Sequence, residues 1–534
     1  MQEATRGSRR KLLSGLLVPA VSALLVLLAI AAYPELTTTH EVGRHLSEEA
    51  TGGHELAATT ADEEGHVQKA ATRRLPAEEE EHEESAAGSG TMTSAIMLLG
   101  MVVFVLLMFY LVNWPDPDIR DMTWRLISAT TSIFIAVLWF EAIRKLLALW
   151  VGDLLGPDWV LSLLIFLSVW SVQQAQLHFF MGQKLHMTAL STIGAHVSGF
   201  AAIHTFSEIQ TEEPFKRNAF MNGVVAVIFA LVWVFLAFVS KHIRRSIKHS
   251  EHFPKEEEHE WVEQCEESEN DVLAICLGKL FCNASRFALL GKLHEKEILL
   301  CDACPPPRMR TVVLMFALGV FFMGLVFFAN IFHNRVAKFE DNPRVKRFVK
   351  ISLATFAFSM SWTLLFANQW LFKVWDVSSH IQSPVMKMLL VALFLGVSSM
   401  VAIFVLDYLA DHEIVDSKAL RSVMFALGML VGLSWEGSFD VATEALAEGL
   451  ADEGDEESAK GTYYTALLHI ILVMISYPAW RLYILPKTDP ELAEIIGKFP
   501  PLSHLWSTED VARDSGSDEE DQGKADLLEG DVRG

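Results

Sequence analysis

The 534-residue chain has only five cysteines, and all of them lie between positions 265 and 304. Cys301-Asp-Ala-Cys304 has CxxC spacing, but there is no second CxxC and so no complete zinc ribbon. Phosphate-loop, kinase and Gly-x-Ser-x-Gly signatures are all missing, as is an HExxH run. Nothing therefore points to an enzyme, and no cofactor is expected. The chain also lacks an arginine ladder of the voltage-sensor kind and a potassium-channel filter string. Basic charge is in short supply, with 43 Lys and Arg against 66 Asp and Glu and a net charge of −23. That balance argues against nucleic acid as a partner.

The acidity is local. Residues 34–93 hold 14 acids and 4 Lys or Arg, and residues 487–534 hold 13 and 5. Between these tails the sequence is dominated by apolar blocks of about 18 to 25 residues, long enough to cross a bilayer. They do not alternate, which rules against a β-barrel. The expected fold is an all-α, polytopic transmembrane bundle of about ten spans in a lipid bilayer, of the plasma membrane or an endomembrane. The first five spans fall near 95–113, 125–150, 158–180, 188–209 and 219–240. The other five fall near 311–333, 347–372, 386–409, 419–446 and 463–485.

Residues 1–33 combine a basic start, an apolar run and small residues, as in a signal peptide or signal anchor. Their charge keeps the start cytoplasmic and exports the next segment. Residues 34–93, which include five histidines, are too polar to form a core and read as a disordered acidic tail. Residues 94–240 and 311–486 form two five-helix membrane units joined by a polar, cysteine-containing loop at 241–310, and residues 487–534 form a second disordered tail. The acidic tails are candidate docking sites for protein partners. The basic flank Lys241, Arg244, Arg245 and Lys248 places the 241–310 loop in the cytoplasm with reduced thiols. Metal binding, a redox pair or acylation of Cys304 are the alternatives.

Both second spans end on tryptophan, at Trp150 and Trp375, and both fourth spans open similarly, Thr188-Ala-Leu-Ser-Thr and Lys418-Ala-Leu-Arg-Ser. A duplicated unit of five spans would be inverted in the membrane. Simple counting then puts the basic loop at 334–350 outside, against the charge rule. An extra crossing within 271–300 would remove the conflict, but Lys279 and Arg286 make that segment a poor span.

Ionisable groups within spans are costly and face interiors or water-filled cavities. The helix 418–450 acquires Glu436, Asp440 and Glu444 at four-residue intervals on one face. Gly428 and Gly432 precede them and permit close helix packing. The three acids form a candidate proton or cation site. In the competing reading, the span ends at Trp435 and the acids lie in the interface. The fourth span of the first half carries His204 and Glu208 at i,i+4, a spacing suited to sharing a proton or a metal ion. His196, Gln173, Gln176, Asp407 and His469 are candidate pathway residues. Glu141, Arg144 and Lys145 also fall in a span, and the two cations read best as end-of-helix interface groups.

The stretch SWEGSFD at 434–440, the stretch GFAAIHTF at 199–206 and the acidic insertion resemble a group of uncharacterised multi-pass proteins of dinoflagellates and related protists. The resemblance covers the ten-span core and makes Trp435, Glu436, Phe439 and Asp440 the signature positions. It implies no activity. The residues support two functional readings. One is a secondary transporter or channel for protons or small cations; the other is a membrane scaffold or receptor that recruits partners through its tails and central loop.

Overall fold

The computed structural model describes residues 77–497, apart from short stretches at 156, 251–253, 292, 294–297, 302–303, 340–342, 376–380, 382, 413–416 and 451–456. The signal segment, residues 34–76 and most of the C-terminal tail lie outside the described residues. Eleven long helices account for nearly all of the described chain. They are α1 Ala77–Val112, α2 Pro117–Leu155, α3 Asp158–Phe179, α4 Lys184–Thr211, α5 Ala219–Ser250 and α6 Lys255–Leu290. Then come α7 Met309–Phe339, α8 Pro343–Val374, α9 Pro384–Asp411, α10 Ser417–Leu450 and α11 Glu457–Ala479. A short α12, Pro490–Gly497, comes last. No strand occurs among the described residues.

Among the described residues, ten helices are long and apolar enough to cross a membrane. Helix α4 is not one of them, since histidines, serines and threonines dilute its apolar content, yet its middle is fully buried in the bundle. Large apolar side chains on the other helices stand exposed, among them Phe109, Leu231, Phe235, Phe328 and Ile475. Side chains of this kind are stable facing hydrocarbon. The protein is a multi-pass membrane protein.

The helices form two layers. Helices α2, α4, α6, α8 and α10 contact one another in a closed ring, and the odd-numbered helices pack around it. All five ring helices run in the same direction. On α2 and α10, Thr130 donates to the Gly428 carbonyl at 3.1 Å, and further along both helices Lys145 lies 3.7 Å from Asp440. On α4 and α6, Ser191 bonds the Gln264 carbonyl and, nearer both C-termini, Gln210 bonds the Leu280 carbonyl. On α6 and α8, Asn270 meets Arg347 and Lys279 meets Phe366. The outer helices return the chain: α3 is antiparallel to α4, with Ser162 beside His204 and Gln173 beside Ser191. The end where the ring helices start is termed the basic end and the other the far end.

Four expectations change here. The polar loop at 241–310 is largely helix α6, with Cys265, Cys276 and Cys282 buried in it as free thiols. Lys279 and Arg286, which disfavoured this crossing, lie over aromatic rings of α8 inside the bundle. Cys301 and Cys304 form a disulfide, not a reduced pair. Because α6 adds a helix, α7 starts at the same end as α1, so matched helices of the two halves run parallel and not inverted. The basic segments around 244 and 347 meet at one end through Glu269, which removes the charge conflict. Lastly, residues 77–93 continue α1 as helix, where disorder was expected.

Candidate functional site

Close packing of α10 on α2 sets the site. A Cβ on Gly428 would sit 2.7 Å from that of Ala129, and one on Gly432 would sit 3.0 Å from the Thr130 carbonyl oxygen. Only glycine allows the two backbones to approach this closely. Trp435 is buried against Phe104, 4.8 Å between ring centroids, so it is not an interfacial anchor. Helix α10 continues unbroken to Leu450 and carries its acids to the far end.

Of the three acids on that face, Asp440 turns toward neighbouring helices. Its Oδ1 lies 3.7 Å from Lys145 Nζ on α2 and 3.8 Å from His469 Nε2 on α11. His469 is fully buried, and its Nε2 is 2.9 Å from the Thr443 hydroxyl. Glu436 is half-buried a turn earlier, whereas Glu444 is exposed. On α4, His204 Nδ1 sits between Ser162 Oγ at 2.9 Å and Glu208 Oε1 at 3.2 Å.

These two clusters do not face each other directly. Helix α2 stands between α4 and α10 in the ring and fills the gap with three charged groups. Arg144 Nη2 bonds Glu141 Oε2 at 2.7 Å, and the charges of Asp440 and Glu208 both act on Arg144. Arg144, paired with Glu141, therefore lies within electrostatic reach of Glu208 on one side and Asp440 on the other. In the sequence the cations of this group read as interface residues because they lie near the end of a span. The signal that finds them is the spacing: Glu141, Arg144 and Lys145 at i, i+3 and i+4 share one helix face within an apolar run.

A cavity of about 710 Å³ opens at the far end between α2, α3, α4, α6 and α8. Its walls include Glu141, Asp158, His204, Glu208, Lys279 and Arg286. Half of the network is thus open to this vestibule, while Asp440 and His469 lie behind α2.

The other pathway candidates serve elsewhere. Gln173 is buried and fully engaged: it donates to the Ser191 carbonyl at 3.1 Å and to Ser268 at 2.5 Å, and accepts from Ser198. It holds α3, α4 and α6 together. Gln176 is exposed on α3, one turn further along. His196 is buried at the α2 contact, bonded to the backbone of Ser132. Asp407 lies at the basic end, where its carboxylate and those of Asp116 and Asp118 fall within 4.8 Å of one another.

A second charge cluster sits toward the basic end. Glu269 on α6 is fully buried and receives Arg244 of α5 at 2.5 Å and Arg347 of α8 at 3.0 Å. Arg347 also bonds Asn270 at 2.8 Å, and Trp233 donates to the Glu269 carbonyl at 3.0 Å. No family model, curated protein or solved structure matches this chain.

Proposed function

We propose that the protein is a secondary transporter that carries or is driven by protons or small cations. The observation that supports this most is the vestibule, which brings titratable groups of α2 and α4 to water at one end of the helix ring. Ionisable side chains are retained inside membrane bundles chiefly along substrate and proton paths. In this reading Glu208 and His204 exchange protons with the vestibule, and Glu141 and Arg144 couple them to Asp440 and His469.

The orientation belongs to the same proposal. Lys241, Arg245, Lys248, Lys346 and Lys350 gather at the basic end, which is cytoplasmic by the positive-inside rule. The vestibule then opens to the outside or lumen, together with the Cys301–Cys304 bridge, and such bridges persist in oxidising compartments. A cysteine introduced as Thr211→Cys is expected to react with an impermeant maleimide on sealed, right-side-out membranes, and Ser246→Cys only after permeabilisation. The reverse pattern would invert the orientation.

The transport test is proton flux in proteoliposomes under a pH gradient. Wild-type protein is expected to carry flux, and Glu208→Gln combined with Asp440→Asn to lower it about 100-fold, as for loss of a proton-transfer group. Flux unchanged in the double variant would sink the site assignment. An absence of flux in the wild type would sink the transport reading.

A further inference from the structure

The vestibule has two chemically opposite walls. On α6, Lys279, Asn283 and Arg286 are spaced i, i+4 and i+7, so one face of that helix presents them together. Arg286 is held in place: its Cζ lies 3.7 Å over the Phe366 ring, and its Nη1 donates to Asn283 Oδ1 at 3.4 Å. Lys279 lies 4.4 Å from the same ring and 3.7 Å from that of Trp362. Two cations on one aromatic platform at the cavity wall form an anchor suited to a carboxylate.

The facing wall, from α3 and α4, carries Asp158 and Glu208. The walls are tied at one seam, where Asn283 donates to Ser207 at 3.2 Å and to Gln210 at 3.0 Å. Apolar side chains, including Val137, Phe140, Phe200 and Ile203, also line the cavity, beside Glu141 and His204. The volume falls in the range of small-molecule sites.

We infer that the vestibule binds a small zwitterion with an apolar body, of the kind represented by a large neutral amino acid. Its carboxylate meets Lys279 and Arg286, its ammonium meets Glu208 and Asp158, and its side chain lies on the apolar lining. This rests on the transport reading for its biological meaning, but binding does not require transport.

The test is equilibrium titration of the full-length protein in nanodiscs, monitored by tryptophan fluorescence, since Trp159 lines the cavity. The probes are L-leucine, L-leucinamide (no carboxylate) and 4-methylpentanoate (no ammonium). L-Leucine is expected to bind at least about tenfold more tightly than either analogue. Arg286→Gln is expected to remove that preference over leucinamide, and Arg286→Lys to restore part of it. Thermal melts of each variant in nanodiscs separate loss of binding from loss of fold. Equal affinity for leucine and leucinamide, or no leucine binding by folded wild-type protein, would overturn the inference. Proton flux without leucine binding would reject this inference and leave the transport reading; leucine binding without flux would do the opposite.

Discussion

Two clusters of charge are held within one helix bundle, and they are built differently. Around Glu269 every group is matched: two arginines approach the carboxylate, Asn270 and Glu266 take up the rest of Arg347, and Ser240 bonds Arg244 at 2.6 Å. Around Asp440 the matching is loose. Its closest charged partners are 3.7 and 3.8 Å away, and Oδ1 accepts no hydrogen bond. The first cluster joins three helices at the basic end and lines no part of the vestibule. The second lies behind α2, whose Glu141 lines that cavity. A buried charge with all its bonds satisfied is a structural fastening, whereas loosely held charges can change protonation or partner at lower cost.

The difference can be attacked by substitution, beginning with the strongest effect. Glu269→Gln leaves the buried Arg244 and the half-buried Arg347 short of a counter-charge and is expected to cost about 3–5 kcal/mol. This would register as a large drop in melting temperature or in folded yield. Gly428→Ala forces a methyl group against Ala129 and is expected to cost about 1–3 kcal/mol. Because it also pushes α10 from α2, flux should fall even in protein that folds. Asp440→Asn, in the looser cluster, is expected to cost no more than about 1 kcal/mol while lowering flux strongly. If instead Asp440→Asn destabilised the protein as much as Glu269→Gln, the contrast between the clusters would fail. Glu444→Gln, on the exposed part of the same stripe, should stay within about 0.5 kcal/mol in thermal melts.

Much of the fold could be read from apolar run length alone, since bilayer thickness sets that length directly. The error over α6 has a clear physical origin. Lys279 and Arg286 lower the hydropathy of the run, but inside the bundle they sit over Trp362 and Phe366 and border a cavity, so lipid never meets them. Run length reports on lipid-facing helices; a ring helix enclosed by others is free to be polar. Helix α4 illustrates the converse, being legible as a span to the eye while its histidines keep it below an apolar threshold.

For the site, the residues at helical spacing were legible and their partners were not. The i,i+4 relation of His204 and Glu208 comes from helix geometry, and the two side chains do meet. Asp440 and His469 meet across helices, 29 residues apart in sequence, a contact that no local pattern encodes. Glu436 and Glu444 share the stripe with Asp440, and Asp440 is the acid whose carboxylate lies beside Lys145 of α2 while Glu444 is exposed. The place of Arg144 between Glu208 and Asp440 depends on which helix lies between α4 and α10, and that is decided by the ring.

Carboxylate reactivity tests the contrast most directly. Purified protein in nanodiscs would be treated with a carbodiimide and a small amine, and the modified residues mapped by mass spectrometry. Glu208, on the vestibule wall, is expected to be modified while Glu269 stays protected until the protein unfolds. Equal modification of both, or of Glu269 alone, would contradict the division into an open functional network and a sealed structural one.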